Sequence, residues 1–323
     1  MKRRDTLLGL AALGCAPLRA FAQQKQLAVV GFLGPASATA YASWLDVMHA
    51  RLRELGYVDG KNLRFVPRYG DGSFERLSEH AADLVRLKAH VIVTSSTDAA
   101  LAAKRATTTI PIVTALISDP VDTGVVASLS RPGGNVTGTT FLLRELNGKR
   151  LELIKETLPQ VRRVAVLLNA KSASSSKVMQ VEDTARALKL QLVKMDVERP
   201  ADLETRVAAL AGKVDAVVIN DDPLFNASAS RIGQLVLQAR LPAVGFDDRV
   251  AEGGALLAYA IDQHDMFRRA AGYVDKVLKG AKPADLPIER SSRFLLTVNQ
   301  KVARALGLQV PTAVRIRADR VIE

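Results

Sequence analysis

The chain has 323 residues, carries Lys+Arg 45 against Asp+Glu 33 for a formal net charge of +12, and is 48% hydrophobic. That apolar content excludes a disordered chain, and no apolar run reaches the roughly 18 residues needed to span a bilayer. A single cysteine, Cys15, excludes an intrachain disulfide framework and an all-cysteine metal site, and the length suits about two domains.

Residues 1–22 have the pattern of a secretory signal peptide. Lys2, Arg3 and Arg4 form a cationic start, Leu7 to Leu18 an apolar stretch too short to span, and Ala20-Phe21-Ala22 a small-x-small cleavage site before Gln23. Arg3-Arg4 ahead of Leu7-Leu8 is also the pattern of a twin-arginine signal, with Thr6 in place of the usual large apolar residue. Ala12 stands where a lipidation motif around Cys15 would carry leucine. Cleavage removes four basic residues and one acid, lowering the net charge from +12 to +9, and leaves a cysteine-free chain suited to an oxidising compartment. The remaining Lys and Arg are spread along the chain, and aromatics are only 5%, so a nucleic-acid surface with stacking platforms is not expected.

From Leu27 onward, short apolar runs alternate with segments of helical spacing. Strands are expected at 27–33, 63–69, 90–94, 112–117 and 136–142, with helices at 44–55, 74–87, 98–107 and 121–129 between them. The glycines of Arg131-Pro132-Gly133-Gly134-Asn135 mark a turn. The second half repeats the rhythm. Helices are expected at 146–158, 176–188, 201–210, 228–238 and 263–278, and strands at 164–169, 190–196, 216–220, 243–246 and 254–260. Strands this apolar must be covered on both faces, so the alternation predicts an α/β fold of two doubly wound parallel-sheet lobes.

Ligands of such sheets bind beyond the carboxyl ends of the strands. The polar residues at those ends are therefore the candidates. Ser95, Ser96 and Thr97 precede a helix, where hydroxyls and free N–H groups either cap the helix or hold a carboxylate or phosphate. Asp119, Asp221, Asp222, Asp247 and Asp248 either cap or hold an ammonium group. Phe32, Tyr41, Tyr69 and Phe246 either wall a ligand or belong to the core.

Enzyme signatures are missing. The chain has no Gly-x-Gly-x-x-Gly after the first strand, no P-loop and no Gly-x-Ser-x-Gly elbow. His49, His80, His90 and His264 have no metal-ligand spacing. No catalytic residue, metal or cofactor is expected.

Several segments together carry a resemblance: the Arg-Arg leader, VGFL at 30–33, LGYVDGKN at 55–62, ATTTIPIV at 106–113, SDPV at 118–121, RPGGNVTG at 131–138, KRLEL at 149–153, and residues 299–307. Over nearly its whole length the chain resembles ABC-transporter substrate-binding proteins with the type I periplasmic binding protein fold, whose relatives include tryptophan and other amino-acid binders. The resemblance implies two lobes joined by hinge strands. One would comprise 25–140 plus 262–290 and the other 141–260 plus 291–323, with crossings near Thr139–Leu142, Tyr259–Asp262 and Ser291–Phe294. Mapped onto this sequence, it implies a pocket at Pro35, Ala36, Ser96, Thr97, Ser118, Asp119, Thr140, Asn169, Asn220, Asp221 and Asp247. Ser96 and Thr97 would take a ligand carboxylate, and Asp221 or Asp247 its amine. Ser95-Ser96-Thr97-Asp98 replaces a Gly-Thr-Pro-like stretch of common relatives. The implied protein is a periplasmic, monomeric binder of a small polar solute, an amino acid or related carboxylate, that serves an inner-membrane ABC permease. A periplasmic sensor docking on a membrane receptor, or an exported enzyme, is the alternative.

Overall fold

A computed structural model describes residues 27–172 and 181–323. The expected leader at 1–22 lies outside the described residues, as does the start of the helix expected over 176–188, whose described part is Glu182–Ala187.

Two sheets organise the chain. The first is built from β1 (Ala28–Gly34), β2 (Leu63–Tyr69), β3 (Val91–Thr94), β4 (Ile112–Thr114), β5 (Val136–Thr140) and β11 (Glu289–Arg290), in the order β11-β5-β4-β3-β1-β2. The second takes β6 (Arg163–Asn169), β7 (Gln191–Val197), β8 (Ala216–Ile219), β9 (Ala243–Gly245), β10 (Leu257–Ile261), β12 (Phe294–Asn299) and β13 (Arg320–Ile322), in the order β13-β12-β10-β9-β8-β6-β7. All pairings of the first sheet are parallel, with Val30 opposite both Phe65 and Val91 at its centre.

One pairing departs from the expected all-parallel pattern: β10 and β12 run antiparallel, with Tyr259 opposite Leu296. The topology requires it. β10 ends at Ile261, and the chain then contributes helix Gln263–Leu278 and β11 to the first sheet's side. It returns at the same end of the second sheet, so β12 must run away from that end.

Residues 121–129 were expected to be helical and instead form successive turns. The N–H groups of Val125 and Val126 both return to Pro120 O, and Gly124 adopts φ +73. Val125 and Val126 are buried while Val121 is 42% exposed. The apolar residues in this segment plug the sheet edge individually and do not form a helix face. Strands β11, β12 and β13, and helices Asp248–Gly253, Gln300–Leu306 and Thr312–Ile316, were not anticipated.

An aromatic cluster fixes one side of the interlobe cleft. Helix α1 (Ala38–Glu54) buries Tyr41, Trp44, Leu45, Met48 and Leu52 at helical spacing. Tyr41 meets Phe32 edge-on at 5.1 Å, and Trp44 lies 5.6 Å from both Tyr41 and Phe267. Edge-to-face pairs of this kind add about 0.5–1.5 kcal/mol each beyond area burial. They hold the first two turns of α1 rigidly against β1.

Candidate functional site

The carboxyl ends of both sheets converge on one narrow cleft. The first wall is the turn between β3 and α3 (Thr97–Ala106). Ser96 caps α3 by accepting from Ala99 N at 3.0 Å, and Thr97 Oγ1 lies 3.2 Å from both Ser118 O and Ser118 Oγ. A helix N-terminus therefore opens directly into the cleft, and its macrodipole favours a negative group there. Tyr41, Trp44 and Leu116 line the same wall, and Phe141 closes the hinge side. Burial pushes the Tyr41 hydroxyl well above its usual range.

The opposite wall carries Ser172, Asp221, Asp222 and Asn226. Asp222 caps helix Pro223–Ala227, accepting from Leu224 N at 2.9 Å and from Asn169 Nδ2 at 2.8 Å. Burial raises it to about 7. Asp221 accepts from Asn226 Nδ2 at 3.2 Å through Oδ1, while its Oδ2 is sealed from solvent and has no hydrogen-bond partner among the described residues. Burial raises Asp221 to about 6, against the attraction of Arg150. Ser172 donates to Asp98 Oδ2 across the cleft at 3.5 Å.

Behind this wall lies a polar layer. Asp247 caps helix Asp248–Gly253 by accepting from Val250 N at 3.2 Å and binds Arg249 Nε at 2.8 Å. Its carboxyl is also raised by burial. Arg249 reaches on to Asn226 Oδ1 at 2.5 Å. Asn220 accepts from Asn147 Nδ2 at 3.1 Å. Arg150, on helix α4 (Leu143–Thr157), is 0% exposed and is brought down to about 10 by burial.

Of the residues expected at the pocket, Ser96, Thr97, Ser118 and Asp221 line this cleft. Asn169, Asn220 and Asp247 are not in that lining: Asn169 donates to the lining residue Asp222 and borders the neighbouring groove, Asn220 accepts from Asn147, and Asp247 holds Arg249. The other four are placed elsewhere. Asp119, with φ +44, accepts from Leu143 N at 3.2 Å and so serves the start of α4. Thr140 turns its hydroxyl onto Ile117 O at 2.9 Å. Ala36 gives its N–H to the Tyr41 hydroxyl at 3.5 Å, and Pro35 lines a separate groove with Phe74, Lys171 and Glu198. Phe32 and Phe246 are core residues. Phe141, Asn226 and Trp44 also line the cleft and were not among the expected residues, while Ser172, also in the lining, stands in the strand-end stretch 169–172 but was not assigned to the pocket.

Comparison with known proteins agrees with this architecture. Residues 30–322 match the family model described as ABC transporter substrate binding protein. A tyrosine-binding protein from Clostridioides difficile is 27% identical over 267 residues, covering 82% of this chain and 77% of the relative. A conserved domain protein from Vibrio cholerae aligns with TM-score 0.87 at 29% identity, over 92% of this chain and 100% of that one. An ABC domain from Streptococcus pneumonia, solved in complex with L-Trp, aligns with TM-score 0.83 at 27% identity, over 91% and 100%. The family is one of solute-binding proteins, and its fold is the two-lobed type I periplasmic binding protein fold. With a family model matched over almost all described residues and both sheets in place, the chain belongs to the ABC transporter substrate-binding protein family.

Proposed function

We propose that this protein is an exported solute-binding protein that closes around an α-amino acid with an aromatic side chain and delivers it to an ABC importer in the inner membrane. The observation that carries this reading is the unpartnered, solvent-sealed Oδ2 of Asp221 on the cleft wall opposite the N-terminus of α3. The carboxylate suits an ammonium group. The helix N-terminus, with the hydroxyls of Ser96 and Thr97, suits a carboxylate. Tyr41, Trp44 and Phe141 supply the apolar surface between them. Names of relatives that bind tyrosine or L-Trp support the same class, and the leader pattern at 1–22 supports export to the periplasm. Ligand touching both walls favours the closed arrangement by its differential affinity, and the hinge segments absorb the motion.

The test is a thermal-shift screen of the purified protein after bound solute is stripped by unfolding and refolding. Ligand at about 100 times its Kd adds ~2.7 kcal/mol, which for a chain of this length is a shift of about 5 °C or more. Aromatic amino acids should give that shift, and their deaminated analogues, such as indole-3-propionate, should not. A response confined to sugars or nucleosides, or equal for the deaminated analogues, would overturn the reading.

A further inference from the structure

Asp98 stands in the first turn of α3, directly after Thr97, and lines the cleft. Its Oδ2 accepts from Ser172 Oγ on the opposite wall at 3.5 Å. A helix dipole favours a carboxylate in that turn, so α3 supplies an anion of its own at the end where a ligand carboxylate would lie. The hydroxyls there are engaged as well, Ser96 with Ala99 N at 3.0 Å and Thr97 with Ser118 at 3.2 Å. Asp221 and Asp222 line the opposite wall, and among the described residues no Lys, Arg or His lines this cleft. A cleft walled by charge of one sign concentrates ligands of the other.

A neutral group on the first wall points the same way. Ser95 is 4% exposed and lines the cleft, and its Oγ is sealed from solvent. It stands beside the Tyr41 hydroxyl but makes no hydrogen bond of good geometry to it or to any other described residue. An unmet buried hydroxyl is costly until a ligand engages it, and it accepts from an ammonium group as readily as it donates to an anion. Asp221 Oδ2 is the sealed, unpartnered oxygen opposite, so a primary ammonium has an acceptor on each wall.

We propose that the cleft takes aromatic primary amines that lack a carboxylate alongside the aromatic amino acids, and that Asp98 is the specificity-determining residue that makes the carboxylate dispensable. This rests on the reading that Asp221 binds an ammonium group. Tyr41, Trp44 and Phe141 offer the ring the same surface in both ligand classes. For an amino acid, the attraction of the α3 N-terminus for its carboxylate is opposed by the like charge of Asp98. An amine meets no such opposition. It carries the net positive charge that the three acids favour, and its ammonium alone engages both walls, which is what closure requires.

The test is titration calorimetry of the stripped protein with tryptophan against tryptamine and tyrosine against tyramine, in wild type, Asp98→Asn and Ser172→Ala. In wild type each amine should bind within about tenfold of its parent amino acid, or more tightly, whereas a site that depends on the carboxylate would lose far more. Asp98→Asn removes the like charge and should shift the preference toward the amino acid by about tenfold. Ser172→Ala removes the hydrogen bond across the cleft and keeps the charge, so it should weaken amine and amino acid alike and leave their ratio in place. Wild-type amines weaker than their amino acids by more than that tenfold margin would overturn the proposal. So would a ratio that Asp98→Asn leaves unmoved, or that Ser172→Ala moves as far. If Asp98→Asn does not fold, tryptophanamide decides with wild type: it keeps the ammonium, loses the negative charge and should bind at least as tightly as tryptophan, and weaker binding would overturn the proposal. Amino acids that bind while amines do not would strike this proposal alone. Absence of binding by both would strike the parent reading with it.

Discussion

The Arg249 guanidinium lies over the indole of Trp44, its carbon 5.6 Å from the ring centroid, and the two residues come from opposite sides of the cleft. Arg249 is held in that position by Asp247 and Asn226. The contact exists only while the lobes are together, so it stabilises the closed arrangement alone. A cation–π contact of this kind contributes about 0.5–2 kcal/mol. Arg249→Ala should therefore weaken ligand affinity by about 2- to 30-fold and enlarge the radius of gyration of the ligand-free protein. Calorimetry and small-angle scattering check both effects, and a variant unchanged in both would show that the contact does not stabilise closure.

Affinity should depend on pH through Asp221. Below its midpoint of about 6, the ionised fraction falls tenfold per pH unit, and the affinity for an ammonium-bearing ligand should fall with it. Asp221→Asn should bind more weakly at neutral pH by about 2 kcal/mol or more and lose this acid dependence. Titration calorimetry from acid to neutral pH distinguishes the two profiles.

Stability of the ligand-free protein should move the opposite way. Asp222 is 3% exposed and is raised from the ordinary aspartate value of 3.8 to about 7. Between those values the folded chain binds more protons than the unfolded chain, so stability falls as pH rises through that window. Asp83, held low by Arg68, and Asp215, held low by the N–H of Arg163, lose their contributions only in more acid solution. The melting temperature should be several degrees higher near pH 5 than near pH 7.5, and Asp222→Asn should flatten that slope. Asp221 and Asp247, which burial also raises, should keep part of the slope in that variant, and a slope unchanged by Asp222→Asn would assign the whole effect to them.

Gly138 should not tolerate a side chain. Its φ is +127, and a Cβ there would sit 2.2 Å from Thr114 O and 2.6 Å from Thr114 N on the adjacent strand. Backbone strain and the clash act together at the strand that leads into the first crossing. Gly138→Ala should cost about 2–4 kcal/mol in chemical denaturation, whereas Gly148→Ala, where a Cβ would lie 3.5 Å from Thr184 Oγ1, should be far milder.

The strand–helix alternation and the strand-end acids and hydroxyls were legible from the chain alone. Apolar runs closed by glycine or proline have few other ways to be buried, and a parallel sheet presents its ligand groups at one end. Ser96, Thr97, Ser118 and Asp221, chosen by that rule, line the cleft. Asp119 and Thr140 satisfied the same rule and yet serve the backbone, because a side chain at a strand end can turn inward to an orphan N–H or carbonyl as readily as outward to a ligand. Arg150 left no local signal: an arginine within a helix ordinarily lies in solvent, and here α4 folds under Tyr259 and encloses it. The antiparallel return of β12 and the approach of Trp44 to Arg249 likewise follow from where the chain crosses between lobes. Local pattern determined most of the longer strands and helices, because periodicity is a short-range property of the chain, but not the turns at 121–129 or the short strands after Leu278. Only the tertiary structure decided which polar groups are buried together, because their partners can lie far apart in the chain, as Arg150 and Tyr259 do at 109 residues.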